Sequence, residues 1–304
     1  DEPFAKLRNQ GMLLANTPGR PAFDDEVKEV EDDETGSEWV PLTPEERETY
    51  PSDKTTWKYV KMSKSLRNVV TPDEVADKYG ADALRVYELF VAPFDQAIQW
   101  DDKGVQGAYR FLSRVWRLLT EFRPSYDMSW RVSIALAETT TEIKALRRKT
   151  HQTLRQVQSD IEEFRFNTAV ARIMEWVNVM SDFKAGNEAD RAAMSEAAEY
   201  LIFTLAPIAP HLADEMLEEY DIPGFTFNYP MPKAEDALAA EEDVTIAIQV
   251  NGKLRDTIYV PIDTTDEDLQ RLALASPKII THTEGKTIRR VIVVPKKLVN
   301  IVAN

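Results

Sequence analysis

The chain has 304 residues, 43% of them apolar, a net charge of −15, no cysteine and three histidines. This length can bury a sizeable core divided among two or three domains, while the absence of cysteine excludes disulfides and thiolate metal sites, and His151, His211 and His282 are too scattered to build a zinc site. No apolar run approaches the roughly 20 residues needed to span a bilayer, and no basic and apolar leader pattern follows Asp1, so a cytosolic, metal-independent chain without membrane partners is expected.

The first hundred residues read as loops, short strands and helices around one polar motif, Lys61 to Ser65. Between Asp24 and Glu48, twelve acidic residues face only Lys28 and Arg47, so one short segment holds most of the negative excess. The proline-punctuated stretch Pro18 to Asp53 is expected to be a surface insertion or, equally, a disordered loop. From Val105 to Tyr220 the period becomes 3.6. Ala108, Phe111, Leu112, Val115, Leu118, Leu119 and Phe122 form one apolar stripe, Ile143, Leu146, Leu154, Val157 and Ile161 a second, and Val170, Ile173, Met174 and Val177 a third. A fourth helix is predicted over Glu188 to Ala206, with Pro207 and Pro210 kinking or restarting the next. After the Pro-, Gly- and acid-rich loop Ile222 to Glu242, the period drops to two at Val244, Ile246, Ile248 and Val250, which predicts a strand. Asn251-Gly252 signals a type I′ hairpin into Leu254, Ile258 and Val260. Thr265 with Asp268 caps a helix ending near Ser276-Pro277, and two strands flank Pro295-Lys296-Lys297. From Val244 onward nine basic residues outnumber six acidic ones.

Within Lys61-Met62-Ser63-Lys64-Ser65, two ammonium groups three residues apart can converge on a polyphosphate, and Ser63 and Ser65 are small enough for close approach while offering hydroxyl donors. Alone, the string also fits an ordinary surface loop. Followed by Asn68, Val69, Val70 and Pro72, it resembles the second signature of class I aminoacyl-tRNA synthetases. Thr71-Pro72-Asp73-Glu74 and Tyr79 through Arg85 continue in that family's order. Gln10-Gly11-Met12 before the loop, Trp100 and Gly104 through Ala108 after it, Phe164 through Ala169, Pro210-His211-Leu212-Ala213 and Val250-Asn251-Gly252-Lys253 resemble the bacterial leucyl-tRNA synthetases in particular, as does Pro3-Phe4. The likeness covers almost the whole chain. It departs at Leu66-Arg67, where a basic residue and Gly are expected, and the missing glycine implies a stiffer loop.

The resemblance implies a multidomain, mainly α chain. Residues 1–102 would end a class I Rossmann-type catalytic domain, with the lysine loop at 61–65 and an acidic insertion at about 18–53. An α-helical anticodon-binding domain would follow over 103–236, then a small α/β C-terminal domain over 243–304. It implies ATP, with Mg2+ carried by the nucleotide, as the ligand of Lys61, Met62, Ser63, Lys64 and Ser65. There Lys61 and Lys64 would neutralise the departing pyrophosphate as leucine is activated for transfer to tRNA(Leu). On helical projections Arg110, Arg114 and Arg117 share one face, with Tyr109 and Trp116 on its shoulders. Lys144, Arg148, His151 and Arg155 share another. Such stripes fit either a phosphate backbone or a solvated face of ion pairs, and the resemblance favours tRNA held through shape and phosphates. Lys286, Arg289, Arg290, Lys296 and Lys297 form a third basic cluster, read either as a tRNA contact or as a solubilising surface. His211 is expected to be a packed or capping residue. No His-x-Gly-His string, the other class I signature, occurs in this sequence, so a fragment or subunit inactive alone is expected. A related isoleucyl, valyl or methionyl enzyme and a non-catalytic tRNA-binding or assembly protein are the alternatives.

Overall fold

Residues 7–22, 39–136, 139–240, 243–262 and 264–304 are described by the computed structural model. Strand β1 (Leu13–Pro21) is the centre of the first sheet. It runs antiparallel to β2 (Trp39–Pro41) and to β3 (Thr56–Lys61), and parallel to β4 (Ile98–Gln99). Gly19 on β1 has no side chain because the Trp39 indole lies on it: a Cβ there would sit 2.1 Å from the ring. Helix α1 (Pro44–Thr49) starts from a capping box, in which Thr43 Oγ1 accepts the Glu46 N–H and Glu46 returns the bond to the Thr43 N–H.

The expected insertion over about 18–53 is therefore corrected at both ends, which belong to the fold around the first sheet. Pro18 through Pro21 belong to the central strand, and Trp39 onward is folded back onto it, because Pro18, Gly19 and Arg20 are buried and can pair only with the chain that returns. Asp24 through Glu38 and Pro3-Phe4 lie outside the described residues.

Helices α2 (Pro72–Tyr79) and α3 (Ala81–Phe90) lead to α4 (Asp102–Phe122), α5 (Trp130–Leu136), α6 (Thr141–Glu162), α7 (Phe166–Asp182), α8 (Glu188–Leu205) and α9 (Pro210–Glu219). The 3.6-residue stripes read from the sequence are the faces these helices bury. Phe111, Val115 and Leu119 on α4, Ile143, Leu154 and Val157 on α6, and Ile173, Trp176 and Val177 on α7 meet in one continuous core. Each such fully buried aliphatic side chain contributes about 1.5–3 kcal/mol. Helix α8 is central to the bundle: thirteen of its eighteen residues are buried, including Glu196 and Glu199. Pro210 occupies the first turn of α9, where its missing N–H costs nothing.

The chain divides into two compact units, Asp1–Leu238 and Ala239–Asn304, with the four-residue α10 (Asp236–Ala239) at their junction. The second unit is a four-stranded sheet built from β5 (Asp243–Val250), β6 (Lys253–Pro261), β7 (Ile288–Val294) and β8 (Leu298–Ala303), in the order β6-β5-β8-β7. Asn251 and Gly252 have φ of 52° and 78°, as a type I′ turn requires. Helix α11 (Asp266–Ala275) is capped by Thr265 as expected, but Pro277 opens a further helix, α12 (Pro277–Thr283), where the sequence reading had the helical segment end. Proline is well suited to a first helical turn, and Ile279 supplies the apolar contact that holds α12 on the sheet.

Candidate ATP loop and RNA-facing surface

The lysine loop leaves β3 at Lys61 and is tied down on both sides. The Met62 N–H donates to the Leu13 carbonyl at 3.2 Å. Asn68 closes the turn: its Oδ1 accepts the Ser63 N–H at 2.7 Å, and its Nδ2 donates to Thr17 Oγ1 at 2.8 Å. Thr17 is fully buried on β1, and its hydroxyl donates to the Ala15 carbonyl at 2.9 Å. Ser63 Oγ and Ser65 Oγ share a 2.7 Å hydrogen bond. Thus the two serines and Asn68 shape the turn, while the Lys61 and Lys64 side chains are left exposed. Lys61, Met62, Val70, Thr71, Leu84 and Trp100 are among the residues lining a groove of about 480 Å³. Lys64 stands outside that lining.

Two features of this loop were not drawn from the sequence. Arg47 on α1 donates from Nη2 to the Leu66 carbonyl at 2.6 Å and from Nε to the Leu42 carbonyl at 3.2 Å, so α1 props the far side of the turn. Its neighbour Glu46 is held below the usual carboxylate range, first by the Thr43 N–H and then by Arg20. The only signal was a lone arginine within an acidic stretch. The second feature is Arg67, which has a φ of 46° in the left-handed region where the resembled pattern carries glycine. Arg67 therefore carries backbone strain that a glycine at this position would not.

On α4 the three arginines fall together as expected. Arg110, Arg114 and Arg117 line a groove of about 850 Å³ floored by Phe90, Val91, Phe111 and Met174. Arg110 and Arg117 are exposed, and Tyr109 and Trp116 beside them are 48% and 38% exposed. Arg114 is half-buried against the Phe111 ring, and its Nε is buried without a hydrogen-bond partner among the described residues.

The second stripe is corrected. His151 is fully buried rather than displayed beside Lys144 and Arg148: its Nε2 lies 3.3 Å from Glu196 Oε1, and its Nδ1 accepts the Glu235 N–H at 3.1 Å. Glu196 is the physical reason, since a carboxylate only 1% exposed needs donors, and it takes His151 together with Arg147 at 2.7 Å. Arg155 is exposed but approaches Asp236 at 3.8 Å. Lys144 is exposed and Arg148 half-buried, so α6 carries no unbroken cationic edge.

In the second unit Lys286, Arg289, Arg290, Lys296 and Lys297 are all exposed. Lys286 Nζ caps the His282 carbonyl at 2.8 Å, Arg289 sits at a break in the β7–β8 register, and Lys296 and Lys297 occupy the β7–β8 turn. His211 is neither packed nor itself a cap. Its ring is 70% exposed and 2.8 Å from Asp82 Oδ1, and Asp82 does the capping by accepting the Leu212 N–H at 2.8 Å. Among the described residues no group of three or more His, Cys, Asp or Glu side chains could hold a metal ion, and no helix is long and apolar enough to cross a membrane.

Residues 58–101 match the family of class I tRNA synthetases for isoleucine, leucine, methionine and valine, and residues 144–270 match the anticodon-binding domain of tRNA ligases. The leucine–tRNA ligase of Syntrophus aciditrophicus is 38% identical over 99% of this chain and 34% of its own length. That of Vibrio parahaemolyticus is also 38% identical, over 100% of this chain and 35% of its own. Among solved structures, the LeuRS of Agrobacterium radiobacter, crystallised as a ternary complex with tRNA and LeuAMS, superposes with a TM-score of 0.72 at 28% identity. That match covers all of this chain and 33% of the other. The chain thus spans about a third of the length of the curated relatives it matches, and over that span it is similar throughout to leucine–tRNA ligases of the class I synthetase family.

Proposed function

We propose that this chain is the C-terminal portion of an enzyme that activates leucine with ATP and transfers it to tRNA(Leu). In this reading residues 1–102 close the catalytic domain, 103–236 form the helical anticodon-binding domain, and 243–304 the small C-terminal domain. The observation that carries it is the lysine loop, whose backbone is clasped by Asn68 and Arg47 while its two ammonium groups stay exposed, that of Lys61 at a groove edge. Attack of the leucine carboxylate on the α-phosphate breaks the bond to pyrophosphate and places negative charge on the leaving group. Lys64, with Lys61, neutralises that charge, and Ser63 and Ser65 shape the turn so that both can approach the Mg2+-bound nucleotide. Leucine and the rest of the nucleotide site are supplied by the remaining catalytic half. The tRNA backbone lies along Arg110, Arg114 and Arg117, with Lys144, Arg148 and Arg155 as separate flanking contacts and the cluster from Lys286 to Lys297 meeting the RNA from the second unit.

The test is leucine-dependent pyrophosphate exchange and leucylation by this chain combined with the N-terminal two-thirds of a leucine–tRNA ligase. The mixture is expected to be active, the chain alone inactive, and Lys64→Ala slowed by roughly 10²–10³-fold, about 3 kcal/mol of transition-state stabilisation. Exchange unchanged by Lys64→Ala refutes the assigned role.

A further inference from the structure

The segment after α9 holds two phenyl rings out to solvent. Phe225 and Phe227 are 56% and 79% exposed, their centroids 5.6 Å apart and their planes 8° from parallel. The residue between them is the opposite. Thr226 is 6% exposed, and both its N–H and its hydroxyl donate to Asp214 Oδ1, at 2.8 and 2.7 Å. This anchor fastens the single turn Thr226–Asn228 to α9. Asn228 Oδ1 accepts the Phe225 N–H at 3.1 Å, and Gly224, at φ 89°, supplies the bend into the turn. The rings are therefore displayed by a built support, with Thr226 as its buried pin. Rigid, preordered aromatic side chains lose little entropy when covered, which is why such residues dominate interface hot spots.

The charge beside them selects the partner. A groove of about 720 Å³ begins at Phe225 and is walled by carboxylates, among them Glu215, Glu218 and Asp221. Asp221 is paired with Arg123, but Glu215 and Glu218 are exposed and make no ion pair among the described residues. A phosphate backbone would meet repulsion here, whereas lysine or arginine would find carboxylates, and a guanidinium could also stack on the phenyl faces. We propose that this surface docks a basic segment of a protein partner, its apolar and guanidinium groups covering Phe225 and Phe227 and its cationic side chains lying along Glu215 and Glu218. This surface does not involve the lysine loop or the α4 arginines, and the proposal stands independently of the synthetase reading.

The experiment uses the full chain and a fluorescein-labelled peptide of alternating Arg and Leu, with alternating Glu and Leu as the control, read by fluorescence anisotropy. Phe225→Ser/Phe227→Ser leaves net charge and the Thr226 anchor intact, and Glu215→Lys/Glu218→Lys leaves the rings intact. Each double variant is expected to weaken the basic peptide by about tenfold or more, with an unchanged unfolding midpoint. Wild-type affinity in the phenylalanine variant overturns the proposal, as does equal binding of the acidic peptide. Loss of tRNA binding in that variant would make the rings a base-stacking platform and overturn it too. So would self-association of the wild-type chain in sedimentation that the variant abolishes, which would assign the surface to a second copy.

Discussion

Replacing Asn68 with alanine tests whether the lysine loop is held in shape before any ligand arrives. The substitution removes the bond accepted from the Ser63 N–H at 2.7 Å and the bonds donated to Thr17 Oγ1 at 2.8 Å and, more weakly, to the Lys61 carbonyl at 3.4 Å. Each partly buried bond of this quality contributes about 0.5–1.5 kcal/mol, so the turn loses about 2 kcal/mol against local opening. Thr17 keeps its own bond to the Ala15 carbonyl, which limits the damage to the loop and spares β1. A difference of about 2 kcal/mol multiplies the open population by roughly 30. Amide exchange across 62–68 should accelerate by that factor, while α6 to α8 exchange as before, because none of their contacts is touched. Asn68→Asp keeps the acceptor for Ser63 but loses the donor to Thr17, and it should fall between the two. Unchanged exchange at Ser63 in Asn68→Ala would refute the reasoning, since the turn would then be held by something other than this side chain.

Arg67→Gly removes a left-handed residue that costs an L-amino acid about 1–2 kcal/mol, partly offset by the greater freedom of glycine in the unfolded chain; exchange of the Arg67 N–H, which donates to the Lys64 carbonyl, should slow. Glu196→Ala strands Arg147 and His151 in the bundle and should cost about 3–5 kcal/mol, read as a lower urea midpoint. Burial pushes the Glu196 carboxyl up, but the bonds from His151 and Arg147 outweigh it, and its pKa is lowered. Its contribution is therefore fully present above its ordinary value of 4.5 and is lost as pH falls through the lower folded value, so wild type and variant should converge in stability only in acid below that folded value. In tRNA binding, Arg110→Ala and Arg117→Ala together should reduce the slope of log affinity against log salt by about 2; a slope equal to wild type removes α4 from the interface.

The helical stripes were legible because α4, α6 and α7 each bury one face, and a 3.6-residue period records that directly. The same was true of the hairpin at Asn251-Gly252, where two positive φ angles restrict the residue choice. The stretch over 18–53 failed for the converse reason. A strand containing Pro18, Gly19 and Pro21 carries loop-like chemistry, and only its pairing with Trp39–Pro41 and Thr56–Lys61 reveals that its residues are buried. Contacts such as Arg47 to Leu66 or Asn68 to Thr17 leave no periodic trace at all, because they join positions 19 and 51 residues apart through single side chains.

Charge counting failed in a more instructive way. A net charge of −15 treats every acid as part of the solvated surface, yet Asp160 and Glu196 are each 1% exposed and Glu199 only 7%. A buried carboxylate must be satisfied by donors, and here they are largely arginines: Arg165 and Arg172 on Asp160, Arg147 on Glu196, and Arg131 on Glu199. The central acids of the bundle therefore recruit cations from α5, α6 and α7, and the α6 stripe is broken because His151 is drawn inward by the same demand. Arg110, Arg114 and Arg117 are spared, making no ion pair among the described residues. A basic face survives on α4 because the carboxylates inside the bundle take their donors from other helices, and this explains how an acidic chain can still present a cationic groove.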